Sequence, residues 1–218
     1  MTADGTPPLL VLPPLYAVVD AELSRAHGFE PTALAKIFLD EGVSLLQLRA
    51  KTASGADFLA WTDDIVLQAG RTGAVVIVND RADIARLARA TGVHVGQDDL
   101  PVTAVRELLG PTAIVGLSTH TPGQIDAACR EPVSYIAVGP IFETGTKPTG
   151  YKPVGLGPIR YAVSVCGQIP VVAIGGITFE RAPEVLAAGA QSVVVISDLL
   201  VGSDPARRTR EFHQRLKR

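Results

Sequence analysis

Residues 44–51 read Ser-Leu-Leu-Gln-Leu-Arg-Ala-Lys. Taken as a β-strand, the stretch sends Leu45, Gln47, Arg49 and Lys51 to one face, and Ser44, Leu46, Leu48 and Ala50 to the other. On an edge strand the polar row would simply face water. The strand-then-helix pattern on either side argues against that, because parallel strands in such folds are covered by helices. The polar row then points into the middle of the fold, at the carboxyl end of the strand. Arginine and lysine placed there need an anionic partner, since a buried unpaired charge is too costly.

Working outward, strand-like runs recur at 15–19, 74–79, 93–96, 113–118, 134–139, 170–174 and 191–197, which with 44–49 makes eight. Helical patterns separate them at 31–41, 55–70, 82–91, 102–110, 122–130, 158–166 and 179–188, and a last one closes the chain at 204–217. Pro31, Pro122 and Pro158 suit first helical turns; Gly42, Gly110 and Gly189 suit helix exits. Strict alternation predicts right-handed crossovers and a parallel sheet. Eight repeats in 218 residues predict a single-domain (β/α)8 TIM barrel over 14–218 rather than an open doubly wound sheet. No linker or composition break marks a second domain. Residues 1–13 read as a flexible N-terminal tail: the apolar run at 9–12 is too short for a signal peptide, lacks a basic flank and ends in Pro13-Pro14.

Composition narrows the function classes. The chain is 47% hydrophobic but only 5% aromatic, which suits a Val, Ile, Leu and Ala core of buried parallel strands. Twenty Lys and Arg against 22 Asp and Glu leave a net charge of −2, without the strongly basic face of a nucleic-acid binder. No run is long enough to span a bilayer. Cys129 and Cys166 fall in separate helices at no metal spacing and read as two buried, reduced thiols in a cytoplasmic protein.

In a barrel, function collects on the loops that follow the strands, and the polar residues do fall there. Strand two ends in Gln47, Arg49 and Lys51, strand three in Asn79-Asp80, and strand four runs into Gly96-Gln97-Asp98-Asp99. Strand five ends Ser118-Thr119-His120, and strand six flows into the stretch from Gly139 to Lys147. Strand seven gives Gly175-Gly176 and strand eight Ile196-Ser197. The last two suit a phosphate cradle of backbone N–H groups at a helix start. A second anion site gathers Arg49, Lys51 and Lys147, with Asn79 and Ser118 as hydrogen-bond donors. Asp80 and Asp99 would repel the same anion unless a hard cation such as Mg²⁺ sits between them. Taken singly, Asp80 reads equally as a helix N-cap and Asp99 as a loop charge. His94 reads as a satisfied core histidine, and His120 stands nearer the site. No Ser/His/Asp or Cys/His arrangement offers a covalent nucleophile.

These motifs resemble the thiamine-phosphate synthase family: Tyr16-Ala-Val-Val-Asp20, Gln47-Leu-Arg49-Ala-Lys51, Asn79-Asp80-Arg81, the stretch from Gly92 to Asp99, Gly116-Leu-Ser118-Thr-His120, the stretch from Val138 to Lys147, Ala173-Ile-Gly-Gly176-Ile and Val195-Ile-Ser197. The similarity runs from about Tyr16 to Leu199. It implies an enzyme that joins 4-amino-5-hydroxymethyl-2-methylpyrimidine diphosphate to hydroxyethylmethylthiazole phosphate and releases diphosphate. By resemblance, Gln47 holds the pyrimidine, while Arg49, Lys51, Asn79, Ser118 and Lys147 grip its diphosphate. Asp80 and Asp99 hold Mg²⁺, and Thr144-Gly145-Thr146, Gly176 and Ile196-Ser197 receive the thiazole phosphate. Catalysis falls to Arg49, Lys51, Ser118 and Lys147, which stabilise a departing diphosphate in a dissociative, carbocation-like substitution. One departure is that Asp20 follows Val18-Val19 where the family usually reads Val-Thr, at a position expected to touch no substrate. The competing readings are a thiazole tautomerase-like paralogue leaning on His120 and a non-catalytic thiamine-phosphate-binding barrel. Residues 142–154 read as a closing loop that carries Lys147. The partners implied are the two small-molecule substrates, and the sequence leaves a homo-oligomer open.

Overall fold

The computed structural model describes residues 10–144 and 152–217. Eight parallel strands close into a barrel in sequence order: β1 (Leu15–Asp20), β2 (Leu45–Arg49), β3 (Val75–Asn79), β4 (Gly92–Val95), β5 (Ile114–Thr119), β6 (Tyr135–Val138), β7 (Val171–Ile174) and β8 (Ser192–Val195). Closure comes from β1 pairing with β8, Ala17 opposite Val195, while its other edge sets Asp20 opposite Arg49. The helices on the outside are α1 (Ala21–Ala26), α2 (Pro31–Asp40), α3 (Gly55–Ala69), α4 (Ala82–Leu87), α5 (Val102–Leu109), α6 (Pro122–Ala128), α7 (Gly157–Val165), α8 (Ala182–Ala187) and α9 (Pro205–Arg215). The expected barrel and the parallel register are both present.

Alternation along each strand divides the apolar residues into two cores. Leu46, Leu48, Val76, Val78, Val93 and Val115 point outward and pack under the helices. Tyr16, Val18, Leu45, Ile77, Tyr135, Val172 and Val194 point inward and fill the barrel interior. Gln47 follows Leu45 on the inward face, so the polar row at 44–51 enters the barrel as its period requires.

The structure differs from the sequence reading in several places. The six-residue α1 was not anticipated; Asp20 caps it by accepting from the Leu23 amide at 3.0 Å. The helix expected over 82–91 stops at Leu87, and Arg89 turns to φ +55°. The helix expected over 179–188 starts at Ala182, because the Phe179 amide donates instead to Asp198 at 3.0 Å. β8 ends at Val195, and Ser197 opens a 3-10 helix, Ser197–Ser203. In the stretch read as tail, Leu12 is buried against the barrel interior and its amide donates to Gln191 Oε1; residues 1–9 lie outside the described residues.

The cysteine reading needs correction. Cys129 and Cys166 form a disulfide, with Cα atoms 5.1 Å apart and a sequence separation of 37. Each is the C-cap of its helix, α6 or α7. Consecutive β/α units set those helix ends side by side at the amino-terminal end of the strands, and the Cα spacing is one a disulfide bridges.

Candidate functional site

Polar side chains from the strand ends converge on one cavity of about 300 Å³ at the carboxyl end of the barrel. Gln47, Arg49, Asn79, Asp80 and Ser118 line one side, and Thr144, Gly176, Ile196 and Ser197 line the other. Lys51 and Asp99 stand behind Asp80: Lys51 Nζ donates to Asp80 Oδ2, and Asp99 Oδ2 accepts from the Gly96 amide at 2.7 Å. Gly145, Thr146 and Lys147, together with most of the anticipated closing loop, lie outside the described residues. The loop's last turn is pinned to its start, since Val154 N donates to Pro140 O at 2.9 Å.

The cationic side is built on ion pairs. Arg49 Nη1 donates to Asp20 Oδ2, with the Asp20 carboxylate almost wholly buried and Arg49 largely so. Asp20 therefore does two jobs: one carboxylate oxygen caps α1 and the other aims the guanidinium along the strand end. Sequence reading gave this residue no role at the site, although its place opposite Arg49 follows once β1 and β2 pair in register. Behind it, Glu22 accepts from both the amide and the hydroxyl of Thr52 at 2.8 Å, clamping the loop that carries Lys51.

Asp80 occupies a left-handed backbone conformation, φ +62°, and its amide donates to His94 O at 2.8 Å. It is not an N-cap: Arg81 holds that position for α4. Burial raises the Asp99 carboxyl above the usual carboxylate range, and Asp80 beside it pushes the same way, against the Gly96 amide and Lys51. Two carboxylates set this close repel one another, and an oxygen-seeking divalent cation between them relieves that repulsion. The pair thus fits the Mg²⁺ expected from sequence. Among the described residues no cluster of three or more His, Cys, Asp or Glu is present, so the two carboxylates supply only part of a coordination shell.

The opposite side is backbone. Gly176 sits at φ +60°, and a Cβ there would meet Glu143 O at 2.2 Å. Gly175, at φ +104°, would drive a Cβ to 2.6 Å from the Pro140 Cα. Both glycines are needed because the loop after β6 crosses directly over them: Phe142 N donates to Gly175 O at 3.0 Å. Asp198 locks this side by accepting from Phe179 N and, at 2.6 Å, from Arg208 Nη2 on α9. Arg181 reaches in from the next turn, its Nη1 3.2 Å from Gly176 O and its guanidinium stacked on Phe142. Tyr16, Tyr135, Asp198 and Arg181 also line the cavity, and sequence reading named none of them as site residues. The inward period of β1 and β6 was the signal available for the two tyrosines.

The histidines separate. His94 is satisfied, as a core histidine should be, but one of its partners is Ser118 Oγ at 2.8 Å, a cavity residue. His120 turns its Nδ1 to Gly139 O at 2.6 Å, which takes that nitrogen for the backbone of the neighbouring strand end.

Comparison with known proteins places the chain in a family. Residues 15–199 match the family model described as thiamine monophosphate synthase. A thiamine-phosphate synthase of Koribacter versatilis is 45% identical over 210 residues, covering 94% of this chain and 96% of the relative. One from Acidothermus cellulolyticus is 43% identical over 203 residues, covering 93% and 94%. Among solved structures, thiamine phosphate pyrophosphorylase from Pyrococcus furiosus superposes with a TM-score of 0.83 at 27% identity, over 93% of this chain and 95% of that one. A tryptophan synthase alpha-subunit, also from Pyrococcus furiosus, at 13% identity and a TM-score of 0.66, shares the fold alone.

Proposed function

The chain belongs to the thiamine monophosphate synthase family, and we propose that it joins 4-amino-5-hydroxymethyl-2-methylpyrimidine diphosphate to hydroxyethylmethylthiazole phosphate, releasing diphosphate. The observation that carries this reading is one cavity with two unlike sides, each suited to an anion: cations and paired carboxylates on one, a glycine-built backbone cradle on the other. Two substrates, each tagged with phosphate at its far end, fit such a site with their reacting rings toward each other.

The chemistry follows from these parts. The C–O bond between the pyrimidine methylene and diphosphate breaks, its electron pair leaving with the diphosphate. The ring amino group feeds electrons toward the methylene cation, and the thiazole nitrogen lone pair then forms the new C–N bond. No protein nucleophile is needed. Arg49, held by Asp20, and Lys51 neutralise charge on the departing diphosphate, and Asn79 and Ser118 donate to its oxygens. Gln47 holds the pyrimidine ring. Thr144, Gly176, Ile196 and Ser197 hold the thiazole phosphate, and Gly145, Thr146 and Lys147 join these sets by family resemblance. Asp80 and Asp99 would hold Mg²⁺, whose contribution is further neutralisation of the diphosphate. Holding both rings in one orientation removes most of the entropic cost of bringing them together.

The tautomerase reading loses ground because the Asn79-Asp80 pair and Asp99 are in place and His120 Nδ1 is engaged with the backbone. Supplying both substrates with Mg²⁺ and following diphosphate release tests the proposal. Thiamine phosphate and diphosphate should form in equal amounts. Isomerisation of a thiazole phosphate without the pyrimidine, and no diphosphate, would overturn it.

A further inference from the structure

Five polar side chains from five strands form one hydrogen-bonded chain across the barrel interior. Gln47 Nε2 donates to the Tyr16 hydroxyl at 2.7 Å, and the Tyr16 and Tyr135 hydroxyls lie 3.0 Å apart. The Tyr135 hydroxyl is 3.0 Å from His94 Nδ1, and His94 Nε2 is 2.8 Å from Ser118 Oγ. Space has been made for this line: a Cβ on Gly116 would come within 2.4 Å of the Tyr135 hydroxyl and 2.5 Å of His94 Nδ1. The His94 and Tyr135 rings stack at 21°, and Tyr16 meets Tyr135 edge-on at 77°.

Proton counting makes the line directional. Burial raises both phenols above their ordinary range, so each keeps one O–H to donate. A neutral imidazole likewise donates from one nitrogen and accepts at the other. Every link must then point the same way. If all point toward Ser118, Gln47 spends its N–H₂ inward and offers Oε1 to the cavity, while Ser118 offers its O–H. If all point toward Gln47, Ser118 offers only an acceptor and Gln47 offers N–H₂.

The cavity decides between the two. Ser118 shares its side of the cavity with Arg49, and an anion held there accepts from the serine hydroxyl. We infer that Tyr16, Tyr135 and His94 are positioning residues that transmit this polarity, so that an anion at Ser118 fixes Gln47 as an acceptor, and the site selects a pyrimidine bearing an amino group over one bearing an oxo group. The inference rests on the proposed function for the identity of the ligand. It adds that the two ends of the pyrimidine diphosphate are read together, by residues of which three do the coupling.

The test measures dissociation constants by calorimetry for the amino-pyrimidine diphosphate and its oxo analogue, on the wild type, Tyr135→Phe and His94→Gln. Tyr135→Phe removes the link that orients Tyr16. His94→Gln can still donate toward Ser118 but no longer serves Tyr135. The wild type should prefer the amino compound, and each variant should lose that preference by about tenfold or more. Affinity for the thiazole phosphate, on the other side of the cavity, should stay within about twofold. Should Tyr135→Phe fail to fold, His94→Gln carries the same prediction. Equal binding of the two pyrimidines by the wild type, or an unchanged preference in a folded variant, would overturn the inference. A wild type that prefers the amino compound yet never couples it would instead sink the proposed function and leave the relay standing.

Discussion

Asp20 shows how much one carboxylate can carry. It caps α1 and holds Arg49 toward the cavity. Asp20→Ala should cost about 1 kcal/mol of stability through the lost cap. The same change should lower kcat/KM for coupling by about tenfold, because Arg49 no longer arrives oriented. A thermal melt beside a rate measurement checks both, and a lowered melting point with unchanged kcat/KM would mean that Arg49 is held by other means. Asp80 and Asp99 act together. Alanine at either should reduce coupling by about a hundredfold or more, as removal of a single electrostatic stabiliser does. It should also raise the Mg²⁺ concentration needed for half-maximal rate. Full activity of Asp99→Ala in the presence of a chelator would remove this pair from the mechanism.

At the scale of elements, the loop after β7 and the opening of the 3-10 helix after β8 make one unit. The glycine pair lets the β6 loop cross at contact distance, and Asp198 ties the β7 loop to α9 through Arg208. Gly176→Ala puts a Cβ at 2.2 Å from a backbone oxygen and asks alanine to hold φ +60°. The backbone must shift, so the cradle loses its shape. The expected outcome is a rise of about tenfold or more in KM for the thiazole phosphate, with KM for the pyrimidine diphosphate nearly unchanged. Steady-state kinetics with each substrate varied in turn would show this, and equal effects on both would argue against two separate anion sites. The small α1 also belongs to this scale: it has only six residues, too few for a periodic pattern, so its cap and its role became visible only through Asp20.

For the whole molecule, the barrel separates stability from chemistry, with the cavity at the carboxyl ends of the strands and the Cys129–Cys166 bridge at the other end. Reducing the bridge, or replacing both cysteines by serine, should lower the unfolding midpoint, since it ties together residues 37 positions apart in sequence. The coupling rate at moderate temperature should not change. A rate that falls together with the midpoint would mean that strain passes between the two ends. Hydrophobic alternation and the regular strand–helix repeat determined the barrel, its parallel order, and the strand ends where polar residues would collect. They did so because side-chain period and chain connectivity are local properties of sequence. The placement of Gln47, Arg49, Asn79 and Ser118 around one cavity follows from those same properties once the sheet closes. Only the tertiary structure decided which partner each polar group has. The Asp20–Arg49 and Lys51–Asp80 pairs, the line from Gln47 to Ser118, and the cysteine bridge all join residues 24 or more positions apart along the chain or the network. Such partners are set by the register between strands and the space inside the barrel, and neither exists until the sheet has closed.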